Sequence, residues 1–136
     1  MQFETKIALV IRRDLAPWQL MNVSAFLASG IAAEFPGCIG EPYEDGSGTP
    51  YLRLIGQPIL VYGADGAGLS RALDRALKRD IRPAVYTEEM FTTTHDAANR
   101  AAVRAVPREG LNLVGLSVRA DRKIVDKVTD GLKFFT

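Results

Sequence analysis

The sequence predicts a three-layer α/β sandwich built on a mixed sheet of four strands, and three features carry that expectation. Lys6 to Arg12 (KIALVIR) is a β-branched run with apolar residues on both faces, as in an interior strand covered on both sides. Leu69, Ala72, Leu73, Ala76 and Leu77 recur at the spacing of one helical face, with Arg71, Asp74, Arg75, Lys78 and Arg79 opposite. Strand-like and helix-like segments alternate along the chain, the order that produces crossovers between parallel strands.

The elements follow in order. After the strand at 6–12, Asp14 serves a turn, and Pro17 stands where a first helical residue tolerates a missing N–H, so a helix is expected from 17 to 35 with Pro36-Gly37 ending it. Leu20, Val23, Phe26, Leu27 and Ile31 form one stripe of this helix, and Trp18, Met21, Ala25, Ala28 and Ala32 form a second beside it. A helix apolar over most of its circumference needs cover on two sides, one from the sheet and the other from a second helix or a second copy of the chain.

Residues 37–57 read as a glycine-rich excursion, with a short strand at 51–55 and with Tyr43, Tyr51, Leu52, Leu54 and Ile55 available to pack. Pro58 to Tyr62 is a second strand, followed by the amphipathic helix. Arg82 to Tyr86 is a third strand, Thr92, Thr93 and Thr94 form a capping cluster, and an alanine-rich helix spans about 95 to 105. Leu111 to Arg119 supplies the fourth strand, and a last helix runs from Asp121 to Asp130, closed by Gly131.

The 136 residues fit one domain, 1–136, with 47% apolar and 24% charged residues. Cys38 is the sole cysteine, which excludes an internal disulfide and any CxxC pair and points to a reducing, cytoplasmic setting. The opening MQFETKIALVIRRDL lacks the layout of a signal peptide, and the charge-free stretch 15–33 is too polar for lipid, so no membrane association is expected. A net charge of +1 gives no support to general nucleic-acid binding. Arg100, Arg104 and Arg108 share one presumed helical face, which reads as a solvated surface.

Ligands of open α/β sheets favour the carboxyl ends of the strands, here residues 13–22, 63–69 and 87–96. Asn22, a turn into the first helix, can donate and accept at a ligand, or merely belong to a polar stripe with Gln19 and Ser29. His95 is the only histidine and hence the only imidazole base, although Thr93 and Asp96 give it the spacing of a helix first turn. Glu88 or Glu89 could act as a general base, with one of the pair facing a pocket. The turn Gly63-Ala64-Asp65-Gly66-Ala67-Gly68 matches neither a dinucleotide fingerprint nor a P-loop, and reads as a βα turn capped by Asp65. With one histidine and one cysteine, no metal or other cofactor is expected.

Val10-Ile11-Arg12-Arg13-Asp14-Leu15 with its long helix resembles the opening of the type II peptidyl-tRNA hydrolases, and Asp126-Lys127-Val128-Thr129-Asp130-Gly131-Leu132-Lys133 is similar to their closing segment. The resemblance implies that fold. Leu15-Ala16-Pro17, the Asn22-to-Leu27 segment and Pro36-Gly37-Cys38-Ile39-Gly40 leading to Gln57-Pro58-Ile59 resemble a family sharing it, the two-thousand-numbered domain of unknown function. The hydrolases carry a glycine-lysine pair where this chain has Gln19, Leu20 and Met21, and no lysine lies between Lys6 and Lys78.

Three functions remain in view. The first is binding of a small molecule or peptide at the strand ends, with Asp14, Asn22, Thr92, Thr93 and Thr94 as ligand-binding residues and Glu88 or His95 as the catalytic base if hydrolysis follows. The second is a non-enzymatic homodimer joined through helix 17–33. The third is residual peptidyl-tRNA hydrolysis.

Overall fold

The computed structural model describes residues 3–136. Strand β1 (Thr5–Arg12) leads into helix α1 (Pro17–Glu34), and an excursion carries the small strands β2 (Tyr43–Glu44) and β3 (Pro50–Tyr51). Strand β4 (Ile59–Ala64), helix α2 (Gly66–Lys78) and strand β5 (Ala84–Thr87) follow. A 3-10 turn at Glu88–Thr92, helix α3 (Asp96–Arg104), strand β6 (Leu113–Asp121), helix α4 (Arg122–Val128) and strand β7 (Lys133–Phe134) complete the chain.

The sheet has five strands in the order β5-β6-β1-β4-β7, one more than the sequence predicts. The addition is β7, a two-residue strand that pairs Phe134 with Tyr62 and Lys133 with Gly63. So short a segment has no alternation of its own, and only its partner makes it a strand. Strands β1 and β4 are parallel, joined through α1, while β6 runs antiparallel to both β1 and β5.

The predicted two-sided burial of β1 is present. Ile7, Leu9 and Ile11 pack with Val23, Leu27 and Ile31 of α1, whereas Ala8 and Val10 pack with Leu69, Leu73 and Val125 of α2 and α4. Local chemistry sets the helix ends. Gln19 Oε1 accepts the Ala16 N–H at 2.9 Å at the start of α1, Asp65 Oδ1 accepts from Gly68 N at 2.8 Å before α2, and Asp121 Oδ1 accepts from Lys123 N at 3.0 Å before α4. Helix α4 ends at Val128 with Thr129 as its C-cap, short of the predicted Asp130, and Gly131, at φ +84, belongs instead to the turn that follows, where Leu132 N donates to Thr129 O at 3.0 Å.

Three expectations are corrected. Residues 52–54 form no strand; β3 stops at Tyr51, and Ile55 makes only an isolated bridge to Ile39. Tyr43, Tyr51, Leu52 and Leu54 are not buried: all four are exposed, Leu52 to 87%, on the two-residue strands β2 and β3 and in the irregular segment that follows them. The capping residue of α3 is His95 rather than the threonine cluster, since its Nδ1 accepts the Ala98 N–H at 3.2 Å. Of the second stripe of α1, Trp18, Met21 and Ala25 are exposed, Trp18 to 57% and Met21 to 68%, while Ala28 and Ala32 are half-buried. Among the described residues no helix is long and apolar enough to cross a membrane.

Candidate functional site

Because β5 and β1 both run antiparallel to β6, strands β1, β4 and β5 share one direction, and their carboxyl ends at Arg12, Ala64 and Thr87 line one edge of the sheet. The candidate residues proposed from the sequence gather at this edge, but in two separate groups.

The first group centres on Arg12. Its Nε lies 2.6 Å from Asp14 Oδ1 and its Nη2 3.3 Å from Glu88 Oε2, while Asn112 Nδ2 donates to the same Glu88 oxygen at 2.8 Å. Burial works against the charge on Arg12, but the hydrogen bonds and charges of Asp14 and Glu88 outweigh it and hold the guanidinium above its ordinary range. The cluster ties the end of β1 to the turn after β5. Asp14 and Glu88 are engaged in it and do not line the groove described next.

The second group lies between α1, β5 and α3. Asn22, Thr93, Thr94 and His95 line one depression of about 400 Å³, as the sequence reading expects of these four. It shares Phe26, Tyr86, Met90, Asp96 and Asn99 with a larger groove of about 530 Å³, which continues past Leu27, Ala84 and Val85 to Val103, Arg100 and Arg104. The floor is aromatic and aliphatic: Phe26 and Phe91 both pack against Tyr86, with ring centroids 5.8 and 5.2 Å apart, and Trp18 meets Phe91 edge-on at 5.7 Å. Burial in this cluster pushes the Tyr86 hydroxyl above its ordinary pKa.

Thr93 holds the turn. Its hydroxyl donates to the Met90 carbonyl at 3.0 Å and contacts Asn99 Oδ1, which fixes the start of α3 against the turn. Thr92 is exposed and outside the groove, with its hydroxyl donating to Glu89 O at 3.0 Å. His95 is spoken for: with Nδ1 accepting from Ala98, the neutral ring carries its proton on Nε2, and the lone pair a base would use caps the helix instead. Gln19, in the stretch where the hydrolases carry their glycine-lysine pair, caps α1.

The floor residues Phe26, Tyr86 and Met90, together with Asn99, escape the sequence reading, since nothing in an aromatic or methionine at core-like spacing marks a groove. Arg100 and Arg104 are visible as a four-residue repeat, yet only the fold shows that they border a cavity. Arg100 pairs with Asp96, whereas Arg104 has no carboxylate partner among the described residues. Among the described residues no cluster of three or more metal-ligating side chains occurs.

Comparison with known proteins agrees in extent with the architecture. The family described as a protein of unknown function, DUF2000, matches residues 5–136. The chain belongs to that family. A solved structure of a protein of unknown function from Agrobacterium tumefaciens strain C58 is similar to this DUF2000 chain over 99% of its length and 100% of that chain, with 50% identity and a TM-score of 0.97. No curated protein matches it.

Proposed function

We propose that this DUF2000 protein is a binding protein whose groove between α1, β5 and α3 receives an amphipathic ligand, a small molecule or a peptide. The observation that carries the proposal is a groove of about 530 Å³ whose lining is mostly apolar, with Asp96, Asn99, Arg100 and Arg104 as its charged and amide side chains. Such a cavity falls within the size range of small-ligand sites. Phe26, Leu27, Tyr86 and Met90 would take the apolar body of the ligand, and the carboxamides of Asn22 and Asn99 would orient its polar part. Binding needs no catalytic group, in keeping with Glu88 being engaged by Arg12 and Asn112, and with the His95 lone pair being used as a cap.

The test uses anilinonaphthalene sulfonate, an anionic apolar dye, titrated into the full chain while the fluorescence of Trp18 is followed. Trp18 is the sole tryptophan and touches Phe91, which lines the depression adjoining the groove. Saturable quenching that weakens in Phe26→Ser supports the site; quenching unaffected by that change places the dye elsewhere and removes the proposal.

A second reading, homodimerisation through α1, is favoured by the exposed side of that helix. From Pro17 to Ala33 no residue is charged, and Trp18 and Met21 stand in solvent. Helices apolar all round are ordinarily buried. Sedimentation equilibrium at micromolar concentration gives the outcome: a dimer that Met21→Glu dissociates supports this reading, and a strict monomer ends it.

A further inference from the structure

The groove runs along an open sheet edge. Strand β5 pairs with β6 on one side, and among the described residues its other side has no strand partner. Ala84, Val85 and Tyr86, three of its four residues, line the cavity. An edge strand keeps alternate backbone N–H and C=O groups free for a further strand, and proteins ordinarily blunt such edges with charge, proline or cover. The opposite edge of this sheet is blunted in that way: β7 is only two residues long, and one of them is the exposed Lys133. Strand β5 carries no charged residue and no proline, and α3 stands off from it across the groove.

We propose that the occupant of the groove is an extended acidic peptide segment of a partner protein, which adds to β5 as a sixth strand. The proposal deepens the binding reading above and rests on it. Side-chain alternation on β5 sends Ala84 and Tyr86 to the α1 face and Val85 to the opposite face. A strand laid against it would send every second side chain to the α1 face, where Phe26, Leu27 and Met90 form an apolar slot. Strand β5 is four residues long and its ladder is interrupted by a register shift between Tyr86 and Thr87, so the added strand is short, spanning about the length of β5. Charge selects the sequence. The ionic groups bordering the groove are Arg100, Arg104 and Asp96, of which Asp96 is consumed by Arg100, leaving Arg104 for an acidic side chain. Backbone pairing would supply affinity, and the apolar slot with Arg104 would supply selectivity.

The experiment is selection of random heptapeptides on the full chain, followed by titration of the enriched peptide into isotope-labelled protein. The expected peptide alternates apolar residues with at least one aspartate or glutamate. It shifts the backbone amides of Ala84, Val85 and Tyr86 most, and it loses affinity about tenfold or more both against Arg100→Glu/Arg104→Glu and when its own alternate amides along one edge are N-methylated. The proposal is overturned if no sequence enriches, if the shifts fall away from β5, or if N-methylation along neither edge weakens binding. The dye titration separates the levels: a dye that occupies the groove while no peptide does leaves the binding reading standing and removes the peptide, whereas loss of both removes the groove as a site.

Discussion

Gly115 of β6 lies directly under Val23 of α1, so close that a Cβ on the glycine would stand 2.9 Å from Val23 Cγ1, and equally near Leu27 Cδ1. Both neighbours are buried, and β6 lies between β5 and β1, so the strand cannot shift sideways and any retreat of α1 would loosen its packing on the sheet. Gly115→Ala is expected to overpack this contact and destabilise the fold by about 1–3 kcal/mol. A lowered urea midpoint with an unchanged slope is the expected readout; a midpoint equal to that of the wild type would show that α1 is more mobile than its packing implies.

His95 acts on α3 through its Nδ1 lone pair. His95→Ala is expected to cost about 0.5–2 kcal/mol, and His95→Asp to restore most of it, since aspartate is among the preferred N-caps. Dye binding in His95→Asp should match the wild type. If the aspartate variant is as stable as the wild type yet no longer binds the dye, the imidazole contributes to the groove as well as to the cap.

Lys6 contributes a pH-dependent term. Burial works to lower its pKa, but the hydrogen bond to Asp126 at 2.6 Å and the Tyr62 ring and hydroxyl prevail, and the ammonium is held above its ordinary value. A folded-state pKa raised above the unfolded value means that the contribution is complete below the unfolded value of about 10.4 and disappears as pH rises through the folded value. Tyr86, raised by burial, acts in the same direction from about pH 10 upward. Urea midpoints should hold level from pH 8 to 9.5 and then decline. In Lys6→Met the decline should be shallower but still present, because Tyr86 remains.

Asp45 organises the tip of the β2–β3 hairpin, with Oδ1 accepting from Ser47 N and Thr49 N at 2.9 and 3.0 Å and Oδ2 accepting from the Tyr51 hydroxyl at 2.8 Å. Hydrogen bonds from Thr49 and Tyr51 lead the causes that pull its pKa below the ordinary carboxylate range. With the folded value depressed, the order it confers is present above about pH 3.9 and is lost as pH falls through the lower folded value. The amide shifts of Ser47 and Thr49 should therefore titrate together, with a midpoint below about 3.9. Asp45→Asn should abolish that shared titration.

How much was legible depended on where each residue's partners lie. Strand β1 and helix α2 could be read because their periodicity is a local record of what they bury: two covered faces for KIALVIR, one for the Leu69 to Leu77 stripe. Strand β7 could not, since its pairing is set by Tyr62, some seventy positions earlier. The meeting of Asn22 with Thr93, Thr94 and His95 followed from the rule that strand ends gather ligand loops. The separation of Asp14 and Glu88 from them did not, because it turns on the reach of one arginine side chain. The apolar floor stayed hidden for a related reason, as Phe26 and Tyr86 have the same signature whether they meet another side chain or an empty groove.

The central place of β1 has a consequence for synthesis. Its neighbours are β4 and β6, and the longer of the two ladders pairs Thr5 with Asp121 and Ile11 with Gly115. Once made, β1 must wait for roughly a hundred further residues before its second flank can close, about 5–20 s at common elongation rates. During that interval one flank of KIALVIR lacks its β6 partner, an unpaired strand edge of the kind that invites pairing with other chains.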